Sequence, residues 1–346
     1  MDPYDVESYS YDLPEAQIAQ APAARRDGSR LMRVVRGSGE ISHLQFSDLP
    51  DVLRPGDLLV MNDTRVYKAR LVGKKIGGGA AAEVFCLGRT EDPGVWRALV
   101  RPGRHLPPGS GVELEDGSVV AIGERLGDGL RLVRLPSGVP AEYLFESIGR
   151  LPLPPYIKNS AADEERYQTV YSDREKNASA AAPTAGLHFT EAMLADLEAR
   201  GIAHAFVTLD VGLGTFRPVK VRDVRDHTMH GETCRIAPAQ AELINGAIAD
   251  GRRIIAVGTT AVRTIESFAS APGRVEPGER TTEIFIYPGF DFKVTDAMIT
   301  NFHLPRSTLL MLVAAFAGHE TTLAAYRRAV EHGYRFFSFG DAMLIE

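Results

Sequence analysis

Cysteine and tryptophan are scarce in this chain, two and one respectively in 346 residues. Cys86 and Cys234 stand far apart, with no CxxC pair and no clustered Cys/His spacing. That excludes a disulfide framework, argues against a zinc site, and makes a reducing cytoplasm the expected compartment. Long apolar runs are missing as well. The most apolar stretch, Leu309 to Ala317, has nine residues, roughly 14 Å as a helix against a hydrocarbon core of ~30 Å. It reads as a buried helix, and no membrane role is expected. Met1 to Asp12 is acidic and aromatic, without the basic start and apolar core of a signal peptide. Neither GxGxxG nor GKS/GKT occurs, so nicotinamide and ATP chemistry find no support. Internal repeats and low-complexity tracts are absent too.

What remains is an ordinary globular composition, 44% hydrophobic and 24% charged, in a chain long enough for two domains. From Arg65 to about Leu135 short apolar runs recur between Gly and Pro clusters such as Gly77-Gly78-Gly79 and Pro107-Pro108-Gly109. Such runs, without helical periodicity, predict a small all-β barrel or sandwich. Proline-rich Leu151 to Tyr156 closes that unit. Beyond it, strands at Ala203 to Leu209, Arg253 to Val257, Ile284 to Tyr287 and Arg335 to Phe339 alternate with helices after Thr190, after Gly258 and at Leu309 to Ala317. Leu31 to Val35 and Leu58 to Met61 add strands upstream. The expected fold is α/β: a main domain with a mostly parallel sheet, residues 1–64 and 151–346, and an inserted small β-barrel, residues 65–150. Net charge is −6, yet Arg54 to Arg104 holds ten Lys/Arg against five acids. A local basic surface on an acidic protein suits one phosphate backbone without attracting every polyanion.

Five segments carry candidate chemistry. Ala182 to Phe189 confines Pro183, Gly186 and His188 to a short loop, and His188 is its one group able to titrate near neutrality. A turn around a buried, hydrogen-bonded histidine is the equal alternative. Asp210 to Phe216 places Gly212, Gly214 and Thr215 after a strand, where open α/β sheets bind ligands. Gly258-Thr259-Thr260 opens a helix with Arg263 one turn in, suited to a carboxylate or a phosphate; an i,i+3 pair with Glu266 is the structural alternative. In Asp226 to Glu232, a strand conformation would put His230 and Glu232 on one face, a spacing fit for proton transfer. Asn62-Asp63-Thr64-Arg65 ends a buried strand at the expected domain junction, a common place for ligands.

These strings, in this order, resemble the S-adenosylmethionine:tRNA ribosyltransferase-isomerase family of queuosine biosynthesis. The resemblance runs nearly end to end. It covers Tyr11 to Pro14, Pro55 to Val60, Asn62 to Val66, Leu151 to Ile157, Tyr167 to Tyr171 and Ala182 to Phe189. It goes on through Gly214 to Val219, Met229-His230, Val257 to Thr260 with Arg263 and Glu266, Thr300 to Pro305, and Tyr334 to Met343.

The resemblance implies transfer and isomerisation of the ribosyl moiety of S-adenosylmethionine onto 7-aminomethyl-7-deazaguanine at wobble position 34 of a tRNA with a G34-type anticodon. Epoxyqueuosine-tRNA forms and adenine and methionine leave. It further implies a cytoplasmic monomer that needs no metal and consumes S-adenosylmethionine as a co-substrate, not a cofactor. Such chemistry needs a base to remove a 5′ proton acidified by the sulfonium, and an acid to help adenine leave. His188, His230 and Glu232 are the candidates, in that order. Thr184, Gly186, Gly212, Gly214, Thr215, Gly258, Thr259, Thr260 and Arg263 are expected around S-adenosylmethionine, with Arg263 on either the methionine carboxylate or a tRNA phosphate. Arg65, Arg70, Lys74 and Arg101 are expected on the tRNA backbone. Two departures stand out. Asp210 replaces the histidine of the family's usual Leu-His-Val-Gly string and is itself a candidate for proton transfer, and Gly77 to Ala80 lacks the usual lysine. A catalytically impaired tRNA-binding homologue, or an enzyme of free deazapurine nucleosides, are the alternatives.

Overall fold

The computed structural model describes residues 2–127, 129–152, 156–157, 164–212 and 219–346. Two compact units emerge: residues 1–65, 154–176 and 182–346 form one, and residues 66–153 with Asn177–Ala181 the other. Arg65 therefore lies with the α/β unit, and Leu151, Pro152 and Asn177–Ala181 with the barrel, opposite to the assignment expected from the sequence.

The larger unit is built on a nine-stranded sheet in the order Gly278–Thr282, Glu232–Ile236, Ala203–Leu209, Leu58–Asn62, Ile254–Val257, Ala297–Asn301, Ala342–Ile345, Arg30–Val34, Ile41–Gln45. Its centre, from Ala203–Leu209 to Ala297–Asn301, is parallel. One margin is antiparallel; at the other, antiparallel pairings flank a parallel one between Ala342–Ile345 and Arg30–Val34. Leu58–Asn62, Ile254–Val257, Ala297–Asn301 and Ala342–Ile345 are buried at every residue. Continuous apolar runs behave this way when a sheet is covered on both faces. Thr190 starts the Glu191–Ala199 helix by accepting from the Met193 N–H, and Gly318, at φ 91°, ends Thr308–Ala317. Among the described residues no single helix is long and apolar enough to cross a membrane.

Two strands expected from the sequence do not form. Ile284 to Tyr287 lies outside the sheet, where the Ile284 N–H donates to Thr282 Oγ1 and its carbonyl accepts from Arg263. The edge strand is the preceding Gly278–Thr282. Arg335 to Phe339 is a loop in which Phe337 adopts φ 75°, incompatible with an extended strand. Its apolar residues pack as an aromatic cluster with Phe302 and Tyr326, and the last strand is Ala342–Ile345.

The smaller unit is a closed antiparallel barrel of Leu130–Arg134, Val95–Arg101, Ala81–Arg89, Arg70–Lys75, Gly111–Leu114 and Val119–Gly127. Alternate residues point inward, as in Trp96, Ala98 and Val100. Gly73 is required at one contact, since a Cβ there would lie 2.2 Å from the Glu113 carbonyl oxygen. Cys86 and Cys234 are both free and buried.

Candidate functional site

The chemistry-bearing loops gather where the parallel strands end. Asn62 closes one of these strands and stitches it to the next. Its Oδ1 accepts from Leu209 N and Thr64 N at 3.0 and 3.1 Å, and its Nδ2 donates to the Leu209 carbonyl at 3.1 Å. Asp63 accepts from Thr208 Oγ1 at 2.7 Å and pairs with Lys176. This part of the Asn62–Arg65 motif is thus consumed in holding strand ends together.

The next loop, Asp210 to Gly212, is fastened to the strand beginning at Glu232. Asp210 N donates to the Thr233 carbonyl at 2.9 Å, and Gly212 N donates to Glu232 Oε1 at 2.8 Å. The Asp210 carboxylate accepts from Thr64 Oγ1 at 3.1 Å and forms an ion pair with Arg235. Desolvation raises its pKa above the ordinary carboxylate value, against the pull of Arg235. Glu232, in turn, binds Arg263 in an ion pair whose side chains are only 4% and 5% exposed. The expected alternative, an Arg263–Glu266 pair, does not form. Glu266 caps the backbone of Lys293, Val294 and Thr295. Arg263 keeps one buried guanidinium nitrogen, Nη2, without a partner. A buried cationic N–H left unsatisfied is costly, and a ligand anion is the natural group to satisfy it.

His188 occupies a different position from the one its sequence context suggested. It lies in the interior, 5% exposed, stacked on Phe46 with ring centres 4.9 Å apart. Thr184 Oγ1 donates to Asn301 Oδ1 at 2.8 Å, so the Asn301 amide nitrogen faces His188 Nε2, at 3.2 Å. That network assigns the ring proton to Nδ1, which donates to Ser29 Oγ at 2.7 Å. Burial lowers the pKa to about 4. The ring is therefore neutral at pH 7, and the expectation of a histidine titrating near neutrality is corrected. His188 positions Asn301 and Thr184. His230 is corrected as well: it is exposed, whereas Glu232, two residues on, is 5% exposed and opens the strand. The two share neither a strand nor an environment.

The Ala182–Phe189 loop nonetheless connects the other motifs. A Cβ on Gly186 would fall 1.9 Å from Tyr171 Oη and 2.9 Å from Thr169 Cγ2, and one on Gly258 would meet Ala185 Cβ at 3.6 Å. Around this loop the hydroxyls of Thr169, Tyr171 and Thr260 are buried and unpartnered. Tyr167 to Tyr171 was not singled out for chemistry; its cue was two tyrosines and a threonine close to the glycine loop. Gly186→Ala is expected to cost about 1–3 kcal/mol by overpacking, read by urea unfolding, and to abolish turnover. Wild-type turnover in that variant would place the loop outside the site.

Of the residues expected around S-adenosylmethionine, Thr184 and Gly186 belong to this loop, Gly258 lies against its Ala185 with Thr259 and Thr260 next in sequence, and Gly212 with Arg263 flanks Glu232. Gly214 and Thr215 lie outside the described residues. Of the expected tRNA contacts, Lys74 and Arg101 are exposed. Arg70 pairs with Glu83 at 2.6 Å, and Arg65 is engaged by Ser172 and Glu165 at 3.1 and 3.2 Å. Among the described residues no group of three or more His, Cys, Asp or Glu is placed to hold a metal ion.

Comparison with known proteins adds a second line of argument. The queuosine biosynthesis protein family matches residues 6–345. A protein of Desulfitobacterium hafniense named S-adenosylmethionine:tRNA ribosyltransferase-isomerase is 51% identical over 98% of this chain and 99% of its own length. One of the same name from Staphylococcus aureus is 49% identical over 99% of both. The crystal structure of the S-adenosylmethionine tRNA ribosyltransferase of Thermotoga maritima superposes with a TM-score of 0.56 at 36% identity, covering 98% of this chain and 100% of that one.

Proposed function

The chain belongs to the queuosine biosynthesis protein family, and from that premise we propose that it is a tRNA-modifying enzyme. It transfers and isomerises the ribosyl moiety of S-adenosylmethionine onto 7-aminomethyl-7-deazaguanine at position 34 of tRNA, and releases adenine and methionine. In this reading it works as a cytoplasmic monomer without a metal.

One observation supports the assignment of the site: a buried Arg263–Glu232 pair with Arg263 Nη2 left over. The methionine end of S-adenosylmethionine is a zwitterion. Its carboxylate suits the spare guanidinium nitrogen and its ammonium suits Glu232, so the pair accepts both charges without a net change. Asp210 stands beside this clamp and is our choice for the base that removes the 5′ proton. Its raised pKa is the direction a general base needs, and Thr64 holds one carboxylate oxygen in place. His188 orients the Asn301–Thr184 pair and moves no proton.

The test is incubation with S-adenosylmethionine and tRNA carrying the aminomethyl precursor. Stoichiometric release of adenine, dependent on that tRNA, is the expected result. No release at high enzyme, or equal release with the free nucleoside, would overturn the reading.

A further inference from the structure

At one end of the barrel, Leu99–Arg101, Gly103-Arg104, Arg125, Gly127 and Gly129 to Arg131 frame a cleft of about 510 Å³. Four arginines line it, at positions 101, 104, 125 and 131, and among its described lining residues there is no carboxylate. Asp128, between two of the lining glycines in sequence, lies outside the described residues.

Arg131 is the unusual member. It pairs across the strands with Ala98, which is fully buried, and its neighbour two positions on, Val133, is fully buried too. Arg131 thus occupies an inward-facing position in an apolar barrel and is 4% exposed. One of its nitrogens, Nη2, donates to the Gly103 carbonyl, while Nη1 is buried without a partner. Burial and the nearby Arg125 lower its pKa, yet a guanidinium stays charged at neutral pH. A buried cation with an open donor, ringed by three exposed cations, has among the described lining residues none of the counter-charge that buried arginines ordinarily have. The rim favours close approach. Gly127 and Gly129 adopt φ of 82° and 79°, and a Cβ on Gly127 would meet nothing within 4 Å.

We propose that this cleft is a phosphate-binding subsite that takes a backbone phosphate of the tRNA substrate, with Arg131 as its buried anchor and Arg101, Arg104 and Arg125 as its exposed arms. The proposal rests on the tRNA-modifying reading above and adds three residues, Arg104, Arg125 and Arg131, that sequence reasoning did not single out. The arginine fork matches phosphate oxygens in geometry as well as in charge.

The test uses the full chain and an anticodon stem-loop RNA, with binding followed by fluorescence anisotropy over a range of salt. Arg104→Gln and Arg125→Gln are exposed changes that spare the barrel core. Each is expected to weaken binding several-fold and to reduce the log–log salt slope by about 1. Arg131→Gln is expected to weaken it about tenfold or more. Arg134→Gln, on the same barrel but already paired with Asp92, should bind like wild type. Unchanged affinity and slope in Arg104→Gln and Arg125→Gln overturn the proposal, whether or not Arg131→Gln folds. Inorganic pyrophosphate that binds wild type but not Arg131→Gln, with RNA binding unmoved by all variants, assigns the cleft to a free anion and overturns it equally. Adenine release separates the two readings. If wild type releases adenine while the cleft variants keep the wild-type KM for tRNA, the cleft proposal alone fails.

Discussion

An Arg263→Gln variant is expected to lose turnover of S-adenosylmethionine and about 3–5 kcal/mol of stability, the ordinary result of removing one member of a buried ion pair. The cause of the stability loss is Glu232, which would remain 5% exposed with its charge stripped of the guanidinium. Glu232→Gln is expected to destabilise comparably, because it strands the Arg263 guanidinium. The double variant Arg263→Met, Glu232→Leu should recover much of the stability in urea unfolding but none of the turnover. That split distinguishes a substrate clamp from a pair that serves folding alone. Recovery of turnover along with stability would contradict the clamp.

The second large effect concerns His188 and pH. Its pKa is about 4 in the folded chain, against about 6.5 when unfolded. Between those values the unfolded chain binds the proton and the folded chain refuses it, so stability rises with pH across the window and falls on acidification. Going from pH 7 to pH 5 should cost about 2 kcal/mol from this residue alone, at about 1.4 kcal/mol per pKa unit. His303, buried and lowered to about 3, acts in the same direction. His188→Gln should remove its own share of the acid sensitivity. Its kcat should fall because Asn301 and Thr184 lose their support, with the midpoints of the pH–rate profile unmoved. An acid limb near neutrality that disappears in His188→Gln would restore the histidine as a base.

Much of the architecture was legible because burial leaves a mark on composition. Leu58 to Met61 and Arg253 to Val257 read as apolar runs because both faces of the sheet are covered there, whereas Ala297–Asn301, equally buried, was not read as a strand. The barrel strands read as short apolar runs between Gly and Pro clusters, and in the structure their residues alternate in burial. Ile284 to Tyr287 and Arg335 to Phe339 misled for the same reason. They are apolar in order to pack, while their backbones bond to side chains and turns, a distinction that period and propensity do not encode. Gly111–Leu114 escaped notice because four residues are too few for a period to show.

The site was legible in its loops and not in its pairings. Thr184, Gly186, Gly258 and Thr260 were singled out from loop composition and position, which are local. The Arg263–Glu232 pair joins a helix to an edge strand 31 positions away in sequence, and nothing in either segment announces it. His188 was misjudged because a histidine's exposure, which decides whether it titrates, depends on Ser29, Phe46 and Asn301. Asp210, the departure from the family's usual histidine, is answered by Arg235 on the neighbouring strand, so the substitution leaves no lone buried charge.

The most direct test compares the binding of S-adenosylmethionine with that of its decarboxylated analogue, by calorimetry, to wild type and to the Arg263→Met, Glu232→Leu variant. If Arg263 holds the methionine carboxylate, wild type prefers S-adenosylmethionine by at least about tenfold, the value of one charge-assisted hydrogen bond, and the variant shows no preference. A preference that survives intact in the variant, or is missing from wild type, would contradict the account.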